Sequence, residues 1–306
     1  MIRKITLSFF VTLITFSTAT ACDICGCGNN GIYIGILPAF QSSLVGVRYK
    51  QNSLKSHIGN NGIDTYLTSK ESYSTIEIWG SILLSKKIQF LYVLPYNNNY
   101  SENKSLKYSI QGLGDANALL FYNLFQSNKL SLRNKVFIQN AKLSFGIKLP
   151  TGKFNVRKNI NETQLFTLGT GTVDFNVGTM YEARIQNNGL NLTTNYKINT
   201  VNKDGYQFGD KFQLNAQLYH KYFLKNDLSI SPNIGLQYES NSYDKYKNLK
   251  VDLSGGEILS YSVGSEFKLK KILIGFNFQI PFIQKINEGM IFSYPRSMIH
   301  FSYSLK

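Results

Sequence analysis

Apolar and polar residues alternate along much of the chain. In the clearest example, isoleucine or phenylalanine occupies each second position from Ile272 to Phe282, and the intervening positions include Asn277 and Gln279. This period of two is typical of β-strands with one apolar and one polar face. The alternating segments are long, on the order of 11–15 residues, whereas strands of soluble proteins average about 5–6. The pattern therefore predicts long amphipathic strands.

Twelve such strands are predicted, and the connections between them alternate in length. The strands are 43–55, 71–85, 88–99, 114–126, 135–150, 172–186, 189–201, 208–224, 227–240, 257–270, 272–286 and 296–305. The short connections are 86–87, 126–134, 187–188, 226 and 271. The longer, polar loops are 56–70, 100–113, 151–171, 202–207, 241–256 and 287–295. Short turns at one rim and long loops at the other are typical of bacterial outer-membrane barrels, whose long loops lie outside the cell.

These features together predict the fold class. A sheet that faces lipid must close on itself to satisfy its edge hydrogen bonds. We therefore expect an all-β, transmembrane, antiparallel β-barrel of about twelve strands in the outer membrane of a Gram-negative bacterium, surrounded by outer-membrane lipid. An even number of strands places both termini on the periplasmic side. Several apolar faces end in Tyr or Phe, which suits the boundary between lipid and water.

The N-terminal 21 residues predict a secretory signal peptide. Arg3 and Lys4 precede an apolar stretch, and Ala19-Thr20-Ala21 is a small-x-small cleavage site before Cys22. The expected organisation is a signal peptide at 1–21, a Cys-rich segment at 22–42 and the barrel at 43–306. Residues 31–40 are strongly apolar, and they fit either an extra strand or a plug inside the barrel.

The composition excludes several other classes of protein. Aromatic residues make up 14% of the chain, too much apolar area for a disordered protein. Lysine and arginine number 33 against 18 acidic residues, for a net charge of +15. These basic residues are scattered, with no basic helix in the pattern, so nucleic acid is not an expected partner.

The polar faces of the strands are expected to line the lumen. The charged or ionisable pore-lining candidates are Arg48, Lys50, Glu77, Lys142, Lys148, Asp174, Glu182, Arg184, Lys211, Lys221, Glu266, Lys268 and His300. Cations outnumber anions in this set. Two interpretations stay open: the charges neutralise one another across the lumen, or they create a positive field that favours anionic solutes.

Three glycine-rich motifs follow one another at predicted strand ends. They are GLGD at 112–115, FGIKLPTG at 145–152 and LGTGTVD at 168–174. Their defining residues are Gly112, Gly114, Asp115, Pro150, Thr151, Gly152, Gly169, Gly171 and Asp174. This succession resembles an outer-membrane barrel family of transporters and phenol meta-pathway exporters, which is related to the long-chain fatty-acid transporter barrels. The resemblance is most specific over 112–181, and it implies a barrel and a transport role without naming a solute.

The motif residues also have a local interpretation. Glycines at strand ends permit bends and bulges, and proline ends a hydrogen-bond ladder because it has no N–H. Asp115 and Asp174 can accept hydrogen bonds from turn backbone. For these residues we expect a structural role rather than contact with a ligand.

All three cysteines lie close together, at Cys22, Cys25 and Cys27. Three thiolates on one short segment are a candidate site for a soft metal, Cu(I) or Zn. Three alternatives stay open: a disulfide that leaves one free thiol, acylation of Cys22, and a plain N-terminal plug.

The expected function is passage of small solutes, anionic ones included. A structural or adhesive barrel is the alternative, and a barrel-embedded hydrolase is a weaker one. The chain has 3 histidines: His57 in a predicted external loop, His220 on an outward face, and His300 in the lumen beside Ser302 and Ser304. Because serines are ordinary on a lumen face, no enzyme is predicted.

Overall fold

The computed structural model describes residues 42–59, 62–104, 106–132, 135–154 and 166–305. These residues are mainly β-strand, with a short 3-10 turn at Asn287–Gly289. Among them no helix is long and apolar enough to cross a membrane.

The described strands follow the chain in order. They are β1 (Leu44–Ile58), β2 (Asp64–Leu83), β3 (Ile88–Glu102), β4 (Lys107–Leu113), β5 (Ala116–Leu132), β6 (Lys135–Leu149), β7 (Asp174–Ile185), β8 (Asn188–Ile198), β9 (Tyr206–Gln207), β10 (Lys211–His220), β11 (Tyr222–Phe223), β12 (Leu228–Asn241), β13 (Lys245–Tyr246), β14 (Leu249–Lys250), β15 (Gly256–Leu269), β16 (Ile272–Ile286), β17 (Phe292–Ser293) and β18 (Arg296–Ser304).

Fifteen of these strands form one closed antiparallel sheet, the wall of the barrel. The hydrogen-bonded order is β10-β8-β7-β6-β5-β3-β2-β1-β18-β16-β15-β12, and pairing of β10 with β12 closes the ring. β4 and β5 together occupy one position in the wall, because β4 pairs with the C-terminal half of β3 and β5 pairs with its N-terminal half. The wall therefore has twelve strand positions, and the prediction of a twelve-stranded antiparallel barrel is confirmed.

The two rims differ in their connections. At one rim the turns are tight, as between β7 and β8 or between β15 and β16. Leu44 pairs with Ser304 at this same rim, so β1 begins and β18 ends there. The opposite rim carries the longer connections, and β9, β13 and β14 form a small separate sheet there. We call the two ends the short-turn rim and the long-loop rim.

Several strands extend further than the sequence pattern predicts. β2 begins at Asp64 and β4 occupies 107–113, both within predicted loops, and β5 continues to Leu132. The prediction that His57 lies in a loop is wrong, because His57 belongs to β1. The reason lies on the outer face of β1. There Val47 and Tyr49 are followed by the polar Gln51 and Lys55, so alternation with apolar residues stops although backbone pairing continues.

The outer surface of the wall carries an apolar band. Val47, Ile78, Val177, Val263 and Phe301 are each between 43% and 52% exposed. Four outward tyrosines donate hydrogen bonds to groups nearer the long-loop rim: Tyr49 to Gln51 at 2.7 Å, Tyr100 to Glu102 at 3.1 Å, Tyr196 to Asp210 at 3.3 Å and Tyr238 to Glu257 at 2.9 Å. Tyrosines with an apolar ring and a hydrated hydroxyl suit a lipid–water interface.

Two apolar clusters lie inside the barrel. The inner cluster, near the short-turn rim, consists of Leu44, Trp79, Leu91, Val93, Leu119, Phe121 and Leu273. The mouth cluster, toward the long-loop rim, consists of Leu54, Tyr73, Phe166, Ile258, Ile286 and Ile291. Polar and charged side chains occupy the interior between them.

Candidate functional site

The structure places the predicted lumen residues on the inward side of the wall. Those that are buried are Arg48, Lys50, Glu77, Lys142, Lys148, Asp174, Glu266 and His300. Those that are half-buried are Glu182, Arg184, Lys211, Lys221 and Lys268. Along the strands they alternate with the exposed apolar side chains, as the pleat of a β-strand requires.

Five of these residues form a charge belt along β15, β18, β1 and β2: Arg48, Lys50, Glu77, Glu266 and His300. Glu77 accepts hydrogen bonds from Arg48 Nε at 2.5 Å and from Lys50 Nζ at 2.8 Å. The Arg48 guanidinium lies 5.2 Å from the centroid of the Trp79 ring. That ring meets His300 edge-on, with 5.9 Å between centroids. Trp79 therefore connects two ionic groups of the belt. The first consists of Arg48, Lys50 and Glu77, and the second consists of His300 and Glu266.

Gly275 allows the second ionic group of the belt, Glu266 and His300, to form. His300 Nε2 lies 3.0 Å from Glu266 Oε2, although β16 runs between their strands. Gly275 of β16 lies beneath this contact, where an added Cβ would come within 2.3 Å of His300 Nε2. Ser302 Oγ lies 3.4 Å from His300 Nδ1. Ser302 is 0% exposed, so its hydroxyl packs within the wall and is closed to a solute.

The three sequence motifs meet in a second ionic network. Lys148 Nζ lies 2.6 Å from Asp115 Oδ2 and 2.9 Å from Asp174 Oδ2. Lys197 Nζ lies 3.1 Å from the same Asp174 oxygen. All four side chains are at most 5% exposed. We call Asp115, Lys148, Asp174 and Lys197 the latch.

The latch holds a loop that turns into the barrel. We call residues 150–154 and 166–173 the inward loop. Asp115 accepts hydrogen bonds from the backbone N–H of Gly152 at 3.0 Å and of Thr170 at 2.9 Å. The Thr170 hydroxyl also accepts a hydrogen bond from Lys148. Buried charges are stable when paired and hydrogen-bonded, and here part of that pairing comes from the loop backbone.

Gly152 and Gly169 allow the two segments of the inward loop, 150–154 and 166–173, to pack backbone against backbone. A Cβ at Gly169 would lie 2.3 Å from Asp115 Oδ1 and 2.7 Å from the Gly152 carbonyl oxygen. Thr151 secures the same region, because its hydroxyl donates to the Gly114 carbonyl at 2.7 Å and accepts from the Ala116 N–H at 2.9 Å. β6 ends at Leu149, directly before Pro150.

The inward loop delivers an aromatic side chain to the mouth of the barrel. Phe166 is 7% exposed and belongs to the mouth cluster. Its ring meets Tyr73 of β2 and Tyr108 of β4, with centroid distances of 6.3 Å and 5.1 Å. Since the cluster also contains Ile258 of β15 and Ile286 of β16, Phe166 joins opposite parts of the wall. The alternation of turn lengths predicts a long external loop at 151–171. Its side of the membrane stays a prediction, and the structure adds that one end of the loop, at Phe166, is buried inside the barrel.

The interior near the short-turn rim is basic on one side. Lys221 lies within electrostatic range of Lys268, Arg184 and Glu182. The carboxylate of Glu182 accepts a hydrogen bond from the Tyr219 hydroxyl at 2.6 Å. Among the described residues, neither Arg184 nor Lys268 forms an ion pair. We call Arg184, Lys221 and Lys268 the basic mouth.

Two site residues were missing from the sequence prediction. Lys197 lies on the polar face of a predicted strand, so the alternation already marked it. Phe166 lies in a non-periodic loop, and its role depends on the latch contacts that fold the loop inward.

The predicted metal ligands Cys22, Cys25 and Cys27 and the segment 31–40 lie outside the described residues. Within the described ranges no group of three or more His, Cys, Asp or Glu side chains is arranged to hold a metal ion.

Solved structures of outer-membrane proteins resemble this chain to different degrees. An outer-membrane channel from Pseudomonas putida F1 has a TM-score of 0.64 at 13% identity, over 88% of this chain and 99% of that chain. The β domain of the Bordetella autotransporter BrkA has a TM-score of 0.45 at 9% identity, over 85% of this chain and 99% of that chain. A deletion mutant of the monoaromatic hydrocarbon channel TodX has a TM-score of 0.36 at 10% identity, over 86% of this chain and 90% of that chain. No protein-family model and no curated protein matches the sequence.

The class of protein follows from the fold and its two surfaces. The wall is closed, its outside is apolar and its inside is polar, which is the design of a barrel that spans a membrane. The likeness to the Pseudomonas channel confirms this fold. The chain is an outer-membrane β-barrel, as the sequence resemblance implied.

Proposed function

We propose that this barrel passes small solutes passively across the outer membrane and prefers anions. The observation that carries the proposal is the interior itself. It contains more cations than carboxylates, and at the basic mouth Arg184 and Lys268 have no anionic partner among the described residues. A wall that only neutralised its own charges would not leave this excess, and a positive field of this kind attracts anions.

The interior also suggests the chemistry of the solute. The charge belt lies between the inner cluster and the mouth cluster, so a solute meets apolar side chains and cations in turn. Small organic anions with an apolar body, such as aromatic carboxylates, match both surfaces. We propose that such anions permeate more readily than neutral sugars of similar size.

The orientation of the barrel belongs to the same proposal. In outer-membrane barrels the short turns face the periplasm and the long loops face outward. We therefore place the short-turn rim, the two termini and the basic mouth on the periplasmic side. The inward loop and the mouth cluster then narrow the extracellular entrance.

Electrical recording in planar bilayers tests this function. Purified full-length protein is expected to give stepwise conductance, and the reversal potential under a KCl gradient should favour chloride over potassium. The preference should weaken at high salt, because the Debye length falls from about 10 Å at 0.1 M to about 3 Å at 1 M. Benzoate and glucose added in turn test the solute class. A cation-selective pore contradicts the anion preference, and a barrel with no conductance favours a structural or adhesive role.

A second proposal concerns the N-terminal cysteines. We propose that Cys22, Cys25 and Cys27 bind a soft metal such as Cu(I) at the periplasmic end of the barrel, on the strength of their spacing in the sequence. Reduced protein should bind about one equivalent of Cu(I), more weakly at low pH, because the ligands must be deprotonated thiolates. A triple Cys→Ser variant that binds equally well contradicts this proposal. Mass spectrometry separates the alternatives, since acylation adds a lipid to Cys22 and a disulfide removes two hydrogens.

A further inference from the structure

A basic hairpin rises from the long-loop rim between β12 and β15. It spans 243–250 and comprises β13, the turn residues Lys247 and Asn248, and β14. Its three lysines, Lys245, Lys247 and Lys250, are all exposed. Among the described residues none of the three forms an ion pair.

The hairpin is held firmly at its base. Asp244 is 2% exposed and accepts hydrogen bonds from the Tyr206 hydroxyl at 2.5 Å and from the Gly209 N–H at 2.7 Å. β13 also pairs with β9, and the Lys247 N–H donates to the Gly205 carbonyl at 2.8 Å. The lysines therefore project from a fixed sheet of three short strands.

Two features of this hairpin are unfavourable in the isolated protein. Lys245 lies directly opposite Lys250 in the antiparallel register, and like charges in this position destabilise a strand pair. Lys247 has a φ of 49°, a left-handed conformation that favours Gly or Asn. Local strain and uncompensated charge of this kind are often found at binding sites. An anionic partner would offset the repulsion between Lys245 and Lys250.

Aromatic and aliphatic side chains accompany the lysines. Lys250 Nζ lies 3.5 Å from the centroid of the Tyr243 ring, and Lys247 Nζ lies 5.4 Å from that of Tyr246. Leu249 is 74% exposed. An anionic surface with an adjacent apolar layer would satisfy both kinds of group, as at a membrane surface.

We propose that the basic hairpin binds the phosphate groups of the outer-leaflet glycolipid. The long-loop rim faces this leaflet in the orientation proposed above, and lysine is a common ligand of phosphate. Clustered basic residues near an anionic membrane surface are each attracted to it, so their contributions add. The hairpin would fix the barrel relative to the surrounding glycolipid, a role that does not depend on solute passage.

Binding of lipid A to the full-length protein in detergent tests the proposal. The test variant is Lys245→Gln with Lys247→Gln and Lys250→Gln. The matched control is Lys86→Gln with Lys87→Gln and Lys225→Gln, which removes three exposed lysines from the short-turn rim. Each protein is titrated with bisphosphorylated lipid A and with dephosphorylated lipid A.

The hairpin variant is expected to bind bisphosphorylated lipid A at least about tenfold more weakly than the unmodified protein, on the scale of attraction per lysine. The control should change little, and the unmodified protein should bind dephosphorylated lipid A as weakly as the hairpin variant does. Equal losses in the two variants, or equal affinity for the two lipids, overturn the proposal. Heat-modifiable gel mobility and unchanged conductance show that the variants are folded. If the triple variant fails these checks, Lys245→Gln alone should still weaken binding of bisphosphorylated lipid A, since it removes one of the three cations that bind phosphate.

Discussion

The charge belt and the latch use the same types of side chain, but they connect different parts of the chain. Glu77 in the belt binds Arg48 and Lys50 of the neighbouring strand, so the belt connects strands of the wall to one another. Asp115 in the latch binds Lys148 and also two backbone N–H groups of the inward loop. The comparison teaches that buried charge in this barrel has two uses: the belt makes the wall polar, and the latch sets the position of Phe166 at the mouth.

The largest expected loss of folding stability comes from removing one carboxylate from either network. Asp115→Asn and Glu77→Gln each leave a buried cation less well compensated, which typically destabilises a protein by about 3–5 kcal/mol. Urea unfolding in lipid vesicles measures both losses. If the latch were a surface contact of the loop, Asp115→Asn would lower the free energy of unfolding much less than Glu77→Gln does.

The next effect tests the wall that carries the belt. Phe276 is 37% exposed, whereas the next residue, Asn277, is 3% exposed and faces inward. Phe276→Arg places a charge in the lipid band and should destabilise by about 2–4 kcal/mol, with Asn277→Arg costing less. The same unfolding assay compares the two variants. Equal losses would mean that the inner and outer faces are assigned wrongly, and the belt with them.

A smaller effect on the free energy of unfolding is expected when a methyl group is added at Gly169 in the latch region or at Gly275 in the belt. A Cβ at Gly169 meets backbone atoms of Gly152, whereas at Gly275 it meets the ends of the His300 and Glu266 side chains. Overpacking usually costs about 1–3 kcal/mol, and side-chain ends can move where backbone cannot. Gly169→Ala should therefore destabilise more than Gly275→Ala in thermal or urea unfolding. The reverse order would show that the latch region adapts more easily than the belt.

The smallest effect concerns ion selectivity. Arg184→Gln with Lys268→Gln removes two charges of the basic mouth that belong to neither network. Folding should be nearly unchanged, and the ratio of chloride to potassium permeability should fall. Reversal potentials before and after the change measure it, with Lys86→Gln and Lys87→Gln as the exposed control. An unaltered ratio would assign the selectivity to the belt or the latch instead.

The wall could be predicted from the sequence because a strand forces alternate side chains onto opposite faces. Ile272 to Phe282 shows this directly, and the inward position of Lys142 or Lys148 follows from the same rule. The same rule marked Arg184, Lys221 and Lys268 individually as lumen candidates, but it did not predict that they form one group. Alternation could not predict which charges pair, since Tyr219 reaches Glu182 across the intervening strand β8.

The inward loop could be predicted only in part. The glycine and aspartate motifs mark Asp115, Gly152 and Gly169 as strand-end residues from the sequence alone. Their meeting depends on contacts between residues up to 55 positions apart, as between Thr170 and Asp115. Phe166 has no periodic neighbours, so its burial follows from this long-range geometry rather than from a local pattern.

Single-channel conductance of Asp115→Asn and Glu77→Gln, recorded side by side with the unmodified protein, tests the central claim most directly. If the latch holds Phe166 in the mouth of a solute-passing barrel, Asp115→Asn should widen the entrance and raise the conductance. Glu77→Gln should leave the mouth closed to the same degree, with a conductance near that of the unmodified protein. Equal conductance in all three proteins, or a rise confined to Glu77→Gln, would contradict the account.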